Sequence, residues 1–195
     1  MTIPCVLANK NIACCTLSTA YYALLFTQYY QLNTNLMKFR IGMGFDVHQL
    51  ELGKPCWLGG ILLEAERGAV GHSDADVLIH ALCDALLGAA NLRDIGFHFS
   101  NKDERWRGKD SKHFLAEVTR MLHERGWRIE NVDCTVCAEN PKINPHIARM
   151  KKTLAPLMRI TEEDVSIKAT TNETLGYVGR EEGINAYAVA LIVKE

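Results

Sequence analysis

Residues 39–49, FRIGMGFDVHQ, and residues 72–91, HSDADVLIHALCDALLGAAN, decide the fold of this chain. The apolar residues of the first segment predict a β-strand, on which Asp46 and His48 share one face because side chains two positions apart point the same way. The second segment predicts a helix that begins at Ser73, with Asp76 at the reciprocal capping-box position. Its apolar residues recur at helical spacing and predict one buried face.

The predicted helix also carries a row of polar residues. Asp76, His80 and Asp84 follow one another at four-residue steps, so they project along one line. Together with Asp46 and His48, His80 completes the carboxylate and two imidazoles that are typical of a catalytic zinc site. Asp84 is placed to accept a hydrogen bond from the second ring nitrogen of His80. The alternative is that Asp46 ends a strand, Asp76 only caps the helix and His80 is a core histidine.

Length and composition limit the class of protein. The 195 residues can bury one substantial core, which predicts a single domain. The net charge of −1 and the 23% of charged residues give no broad basic field for nucleic acid and no acidic tract typical of disorder. Seven cysteines, an odd number without the pairing of a zinc knuckle, predict reduced thiols in a reducing compartment.

Residues 1–36 differ in composition from the rest of the chain. They contain no Asp or Glu, and Lys10 is their only charged residue. The apolar segment LSTAYYALLFTQYY, residues 17–30, is too short for a membrane-spanning helix, which needs about 20 residues. A secretory signal would have a basic start, and a transit peptide more Arg and Ser. We therefore expect a dispensable leader, a folded domain at residues 37–195 and no membrane partner.

The order of predicted elements is strand, strand, helix, helix, strand, helix, strand, strand. Such an order in a short chain predicts an α/β sandwich, of the α+β type, in which helices cover one side of a mixed sheet. The closing strand, INAYAVALIVK at residues 184–194, is almost wholly apolar. This is expected if both of its faces are buried, one of them by a neighbouring subunit.

A second polar cluster lies at residues 168–183, KATTNETLGYVGREEG. Its hydroxyls, cations and exposed amides suit phosphate oxygens, and Glu173 is a hard oxygen ligand for Mg²⁺. The alternative is a polar loop whose threonines bond to their own backbone. The segment AENPKIN, residues 138–144, is likewise either a plain turn or a pocket that binds a base, with Lys142 near a phosphate. The cluster contains Lys168, Thr170, Thr171, Glu173 and Arg180.

Four segments together resemble the 2-C-methyl-D-erythritol 2,4-cyclodiphosphate synthase family of the non-mevalonate isoprenoid pathway. The resemblance implies a homotrimer around packed sheets, with active sites between adjacent subunits. It implies conversion of 4-diphosphocytidyl-2-C-methyl-D-erythritol 2-phosphate into the cyclic diphosphate and CMP. It also implies a cytoplasmic bacterial enzyme, or a plastid one if residues 1–36 are a transit peptide. Content, order and spacing agree over roughly residues 38–194 in GFDVH, HSDADVLIHALCDALLGAANLRDIG, NVDCTVCAENPKINPHI and IKATTNETLGYVGREEGI.

The resemblance also implies roles for individual residues. Asp46, His48 and His80 would bind Zn²⁺ or another divalent cation, and Glu173 would bind Mg²⁺ or Mn²⁺ with the substrate diphosphate. Arg180 would lie near a cavity on the trimer axis that takes an isoprenoid diphosphate. The implied catalytic residues are His72, Asp76, Thr171 and Glu173. The implied substrate-binding residues are Ser73, Asp94, Ile95, Gly96, Ala138, Pro141, Lys142, Ile143, Thr170, Thr171, Tyr177 and Arg180.

The sequence departs from the family pattern at three places. HFSNKD at residues 98–103 stands where the family commonly reads HFPDTD, so Ser100 and Asn101 replace a proline and an acid. Asn172 replaces the third threonine of ATTTE, and residues 176–180 read GYVGR instead of GFTGR. None of these changes removes a predicted metal ligand.

Two other functions are compatible with parts of this pattern. A zinc-dependent phosphohydrolase would send water to phosphorus and would make no cyclic diphosphate. An isoprenoid-diphosphate carrier would use only the axial cavity and Arg180. The carrier has no need of the metal ligands or of the loop around Glu173.

Overall fold

The computed structural model describes residues 37–194 and Leu24, so the predicted leader otherwise lies outside the described residues. Residues 37–194 belong to one compact unit. Within this part of the chain, no helix has both the length and the apolar character needed to cross a membrane.

Five of the strands form one mixed sheet in the order β4-β1-β7-β5-β6. Neighbouring strands are antiparallel except β5 and β6, which are parallel. Strands β2 and β3 form a separate hairpin. The strands are β1 (Lys38–Leu52), β2 (Cys56–Leu58), β3 (Ile61–Leu63), β4 (Arg67–Ala69), β5 (Arg128–Cys137), β6 (Val165–Thr170) and β7 (Gly183–Lys194).

The helices cover one side of the sheet, as predicted. Helix α1 packs on β1 and β7, while α3 packs on α1 and α4 packs on α3. The short helices α2 and α5 are not among the three helices that the sequence predicted. The helices are α1 (Val77–Ala89), α2 (Ile95–His98), α3 (Ser111–Glu124), α4 (Ile147–Met158) and α5 (Gly176–Gly179).

Helix α1 lies unusually close to strand β1 at two glycines. A Cβ added at Gly42 would lie 2.0 Å from the carbonyl oxygen of Ala85, and one at Gly44 would lie 2.0 Å from the carbonyl oxygen of Ala81. Any side chain at these positions would overlap the helix backbone. Because His80 directly precedes Ala81, this close approach brings His80 over the strand.

The beginning of α1 differs from the prediction. Ser73 does not cap the helix, which begins immediately after Asp76. The Asp76 carboxylate accepts hydrogen bonds from the amides of Ile79 at 3.0 Å, Gly59 at 3.0 Å and Gly60 at 2.6 Å. Asp76 is fully buried by these contacts. It is therefore a structural cap between α1 and the β2–β3 hairpin, and its predicted catalytic role does not fit its position.

The other side of the sheet is apolar and open. Ile41 and Met43 retain 72% and 65% of their accessible surface. The expectation that both faces of the closing strand are buried is not met within one chain, since Tyr187 and Val189 are exposed. A contiguous apolar surface of this kind marks an interaction site. We call it the open sheet face, formed by Phe39, Ile41, Met43, Phe45, Val47, Tyr187 and Val189.

Candidate metal centre and active site

Asp46, His48 and His80 meet as predicted at the contact between β1 and α1. Oδ2 of Asp46 lies 3.0 Å from Nε2 of His48 and 3.0 Å from Nδ1 of His80. The two nitrogens are 3.1 Å apart. A tetrahedral zinc ion with ligands at about 2.0–2.1 Å holds its ligand atoms about 3.3–3.4 Å apart. The triad therefore fits a small divalent cation with minor adjustment and leaves one side open.

The electrostatics of the triad favour a bound cation. Burial disfavours the charged form of Asp46, but hydrogen bonds and attraction from His48 and His80 outweigh burial and lower the pKa of Asp46 to about 2. Burial also disfavours the charged form of His48, yet its contacts with Asp46 prevail and raise the pKa of His48. The triad thus holds an ionised carboxylate that attracts positive charge. A metal ion that binds there would displace the proton of a protonated His48.

The second ring nitrogen of His48 is fixed by the backbone. Nδ1 of His48 lies 3.0 Å from the carbonyl oxygen of Val70. A carbonyl oxygen can only accept, so Nδ1 carries the proton and donates it. In the neutral ring, Nε2, which faces Asp46, is then the unprotonated nitrogen and is free to bind a metal ion.

The second ring nitrogen of His80 has a different partner from the predicted one. Nε2 of His80 lies 3.0 Å from Oγ of Ser111 and 3.2 Å from Oγ of Ser73. The predicted partner, Asp84, instead accepts a hydrogen bond from the amide of Ile95 at 2.7 Å. Asp84 therefore holds the start of α2, and its assignment as the partner of His80 was wrong.

The triad lines an open cleft of about 380 Å³. One predicted catalytic residue, His72, and three predicted substrate-binding residues, Ser73, Ile95 and Gly96, line the same cleft. Asp94 is not in its lining, because its carboxylate caps α2 by accepting a hydrogen bond from the amide of Phe97 at 3.0 Å.

An aromatic cluster that no sequence pattern predicted forms one wall of this cleft. The ring centre of Phe99 lies 5.4 Å from that of Trp106 and 4.9 Å from that of Phe114. All three residues line the cleft, as does Asn101, one of the departures from the family pattern. The wall combines apolar surface with a polar group beside the candidate metal ligands.

A second cleft of about 110 Å³ brings the other predicted binding residues together. Its lining joins the end of β6 to the turn that follows β5. The predicted residues in this lining are Ala138, Pro141, Lys142, Ile143, Thr170 and Thr171.

Glu139 holds the loop after β6, a role that the sequence did not reveal. Its Oε1 accepts hydrogen bonds from the amides of Asn172 at 2.9 Å and Thr174 at 3.2 Å. Glu173 and Thr174 have φ angles of +51° and +66°, in the left-handed region that non-glycine residues rarely adopt. The hydroxyl of Thr171 donates to Oε1 of Glu173 at 3.0 Å. The turn and the loop are thus one connected unit.

Tyr177 and Arg180 line neither cleft in the described part of the chain. The hydroxyl of Tyr177 accepts a hydrogen bond from the side-chain amide of Asn185 at 2.6 Å. Arg180 forms an ion pair with Glu182 at 2.8 Å. Their roles in substrate or isoprenoid-diphosphate binding stay predictions.

The two clefts lie beside different strands of the sheet, the triad on β1 and the second cleft beside the end of β6. Val47, Asn185, Cys137 and Thr170 lie opposite one another on β1, β7, β5 and β6. Three strand spacings put Val47 and Thr170 about 14 Å apart. Paired residues share a face, so Thr170 points to the open sheet face, whereas Asp46 and His48 flank Val47 and point to the helix side. One chain therefore holds its two clefts apart.

A carboxylate and two imidazoles in an open cleft, on a sheet covered by helices, define a candidate metalloenzyme of the α/β sandwich class. The chain belongs to the YgbB family, whose family model matches residues 39–193.

The relatives agree with this assignment. The chain is 66% identical over 158 residues to the 2-C-methyl-D-erythritol 2,4-cyclodiphosphate synthase of Cytophaga hutchinsonii, covering 81% of this chain and 99% of that protein. A solved structure of such a synthase in its CDP-bound form is 38% identical, with a TM-score of 0.73, and covers 78% of this chain and 99% of that one. The CDP complex of Plasmodium falciparum IspF is 30% identical, with a TM-score of 0.72, and covers 80% and 97%. The family resemblance predicted from the sequence is confirmed.

Proposed function

We propose that the chain converts 4-diphosphocytidyl-2-C-methyl-D-erythritol 2-phosphate into 2-C-methyl-D-erythritol 2,4-cyclodiphosphate and CMP. The observation that carries the proposal is the triad of Asp46, His48 and His80 in an open cleft of a chain of this family. An oxygen of the 2-phosphate attacks the β-phosphorus, and the bond to CMP breaks with its electron pair leaving on CMP. A phosphate monoester has a second pKa of about 6, so its attacking oxygen needs no strong base.

The residues present fit two cations. The triad would hold Zn²⁺ or another divalent cation, and Glu173, with its exposed carboxylate, would hold Mg²⁺ or Mn²⁺ beside the diphosphate. Bound there, the cations supply positive charge that orients phosphate groups and offsets the charge that spreads over them in the transition state.

The remaining residues position the substrate. His72 and Ser73 present hydrogen-bonding groups in the cleft of the triad and would hold the 2-phosphate. The hydroxyls of Thr170 and Thr171 would bind the diphosphate. Lys142 lies in the same cleft, where its ammonium group would contact a phosphate or the nucleotide. Holding both ends of a flexible molecule in line can lower the barrier by up to about 7–11 kcal/mol.

The active site would be shared between two copies of the chain. In-line attack needs reacting atoms about 3–3.5 Å apart, whereas β1 and β6 of one chain are about 14 Å apart. A triad from one copy and the loop around Glu173 from the next would meet this requirement. The apolar open sheet face supports a closed homotrimer, since it offers surface for packing sheets around an axis.

Replacing Ile41 with Glu is expected to break the trimer, because a charge would be buried at the centre of the open sheet face. Sedimentation velocity should give a mass near three times 21.9 kDa for the original chain and a mass near 21.9 kDa for Ile41→Glu. Ala116→Glu adds the same charge on the exposed side of α3 and should leave the trimer intact. A trimeric Ile41→Glu protein would contradict the packing proposed here.

Replacing Glu173 with Gln is expected to weaken the binding of Mg²⁺, since a neutral amide is a poorer ligand than a carboxylate. The Mg²⁺ concentration that gives half-maximal turnover should rise by about tenfold or more. Glu162→Gln, an exposed acid on a 3₁₀ turn, is the matched control. An unchanged Mg²⁺ titration for Glu173→Gln would remove Glu173 from the metal site.

Product analysis tests the reaction itself. The purified chain with the cytidine substrate, Zn²⁺ and Mg²⁺ is expected to release CMP and the cyclic diphosphate in equal amounts, measured by ³¹P NMR. CMP without the cyclic product would identify a phosphohydrolase. Binding of an isoprenoid diphosphate without turnover would identify a carrier. The cytoplasmic location stays a prediction.

A further inference from the structure

Asp74 contacts Ser111 through both carboxylate oxygens. Oδ2 of Asp74 accepts a hydrogen bond from the backbone amide of Ser111 at 2.9 Å, and Oδ1 accepts a short hydrogen bond from the hydroxyl of Ser111. Ser111 is fully buried at the start of α3. Its Oγ also lies 3.0 Å from Nε2 of His80, so a chain of contacts runs from Asp74 to the metal triad.

The directions of these hydrogen bonds follow from the groups involved. An ionised carboxylate has no proton to give, so the hydroxyl proton of Ser111 points to Asp74. The oxygen of Ser111 can then only accept from His80, which places the imidazole proton on Nε2. Nδ1 of His80, which faces Asp46, is left unprotonated.

We propose that Asp74, acting through Ser111, fixes the tautomer of His80 whose Nδ1 is free to bind a metal ion. Asp74 and Ser111 are positioning residues for the metal centre, and the inference rests on the proposed metal site. Ser73 also approaches Nε2 of His80, at 3.2 Å. Its hydroxyl proton has no carboxylate partner among its hydrogen bonds in the described part of the chain, so Ser73 does not impose a direction.

Replacing Asp74 with Asn tests the direction of the hydrogen bonds. The amide oxygen of Asn can still accept a hydrogen bond from the backbone amide of Ser111. This orientation turns the NH₂ group of Asn towards the hydroxyl of Ser111. The hydroxyl then donates to Nε2 of His80 and drives the proton onto Nδ1. In a serine protease triad, Asp→Asn likewise leaves the geometry intact and stabilises the wrong histidine tautomer.

The measurement is zinc affinity of the full chain, by competition with a chromogenic chelator. Asp74→Asn is expected to raise the zinc dissociation constant by about 10–100-fold, as loss of an outer partner of a metal ligand does. Asp84→Asn makes the same chemical change one turn from His80 and can keep its acceptor for the amide of Ile95. It should leave the zinc dissociation constant within about threefold of the original value.

Metal-free thermal unfolding separates positioning from a loss of fold. The backbone amide of Asp74 donates to the carbonyl of Lys109 at 3.2 Å, an anchor that Asn retains. Metal-free Asp74→Asn should therefore unfold within a few degrees of the original chain. Equal zinc affinity of Asp74→Asn and Asp84→Asn would overturn the inference. A loss of zinc affinity in Asp74→Asn accompanied by a comparable loss of thermal stability of the metal-free protein would overturn it as well.

The outcome is independent of the reaction assay. If the original chain binds zinc but forms no cyclic diphosphate, the proposed reaction fails while the comparison of the two variants still decides the role of Asp74. If the original chain binds no zinc through the triad, the inference about Asp74 fails with the metal site. Tetrahedral absorption bands of Co²⁺ bound to the original chain, weakened in Asp74→Asn at equal Co²⁺, would support it.

Discussion

Asp46→Asn is expected to lose the Zn²⁺ proposed for the triad and to turn over the cytidine substrate at least about 10³-fold more slowly. Several kcal/mol of charge stabilisation would go with the metal, and each about 1.4 kcal/mol is a factor of ten in rate. The carboxylate is the one triad member that carries negative charge, and its oxygen lies 3.0 Å from both ring nitrogens. Zinc content by atomic absorption and CMP release by chromatography are the measurements.

The fold should survive this substitution, since the side chain of Asp46 lies in the cleft and not in the apolar core. His80→Ala is expected to behave in the same way. Asp164→Asn is the matched control, because it changes the same group at a position that lines neither cleft. Near-normal zinc content together with near-normal CMP release in Asp46→Asn would exclude Asp46 from the ligands.

Gly44→Val is expected to lower the free energy of unfolding by more than about 3 kcal/mol, at or beyond the upper end for overpacked cores. A Cβ at Gly44 would lie 2.0 Å from the carbonyl oxygen of Ala81 and 2.6 Å from the amide nitrogen of Ala85. Backbone atoms cannot rotate away as a side chain does, so α1 must move off the strand. Urea unfolding followed by circular dichroism measures the loss.

Gly88→Ala is the matched control for this prediction. Gly88 lies within α1, is exposed, and a Cβ there would meet nothing within 4 Å. Alanine should stabilise the helix by about 0.5–1 kcal/mol, because glycine loses more backbone freedom on folding. If Gly44→Val unfolded at the same urea concentration as the original chain, the close contact between α1 and β1 would be wrong.

The parts of the fold that follow a local period could be predicted from the sequence. The alternation in β1 placed Asp46 and His48 on one face, and the helical spacing of α1 aligned His80 with Asp84. The order of elements also predicted a mixed sheet with helices on one side. These features depend on residues close together in sequence, where geometry is fixed by the backbone alone.

The misses all depend on contacts between distant residues. Ser73 and Asp76 are both good helix caps, and the amides of Gly59 and Gly60 decide for Asp76. Ser111 is 31 residues from His80 and no spacing rule connects them. Glu139 likewise contacts a loop more than 30 residues away. Such pairings are set by tertiary packing and leave no periodic signal.

The separation of the two clefts within one chain has a thermodynamic consequence. In the proposed assembly a ligand that touches two copies of the chain binds only the associated form, so substrate and subunit association strengthen each other by the same free energy. Dilution would then remove catalysis and assembly together. The nucleotide would act as a clamp that holds the oligomer closed while its chemistry proceeds.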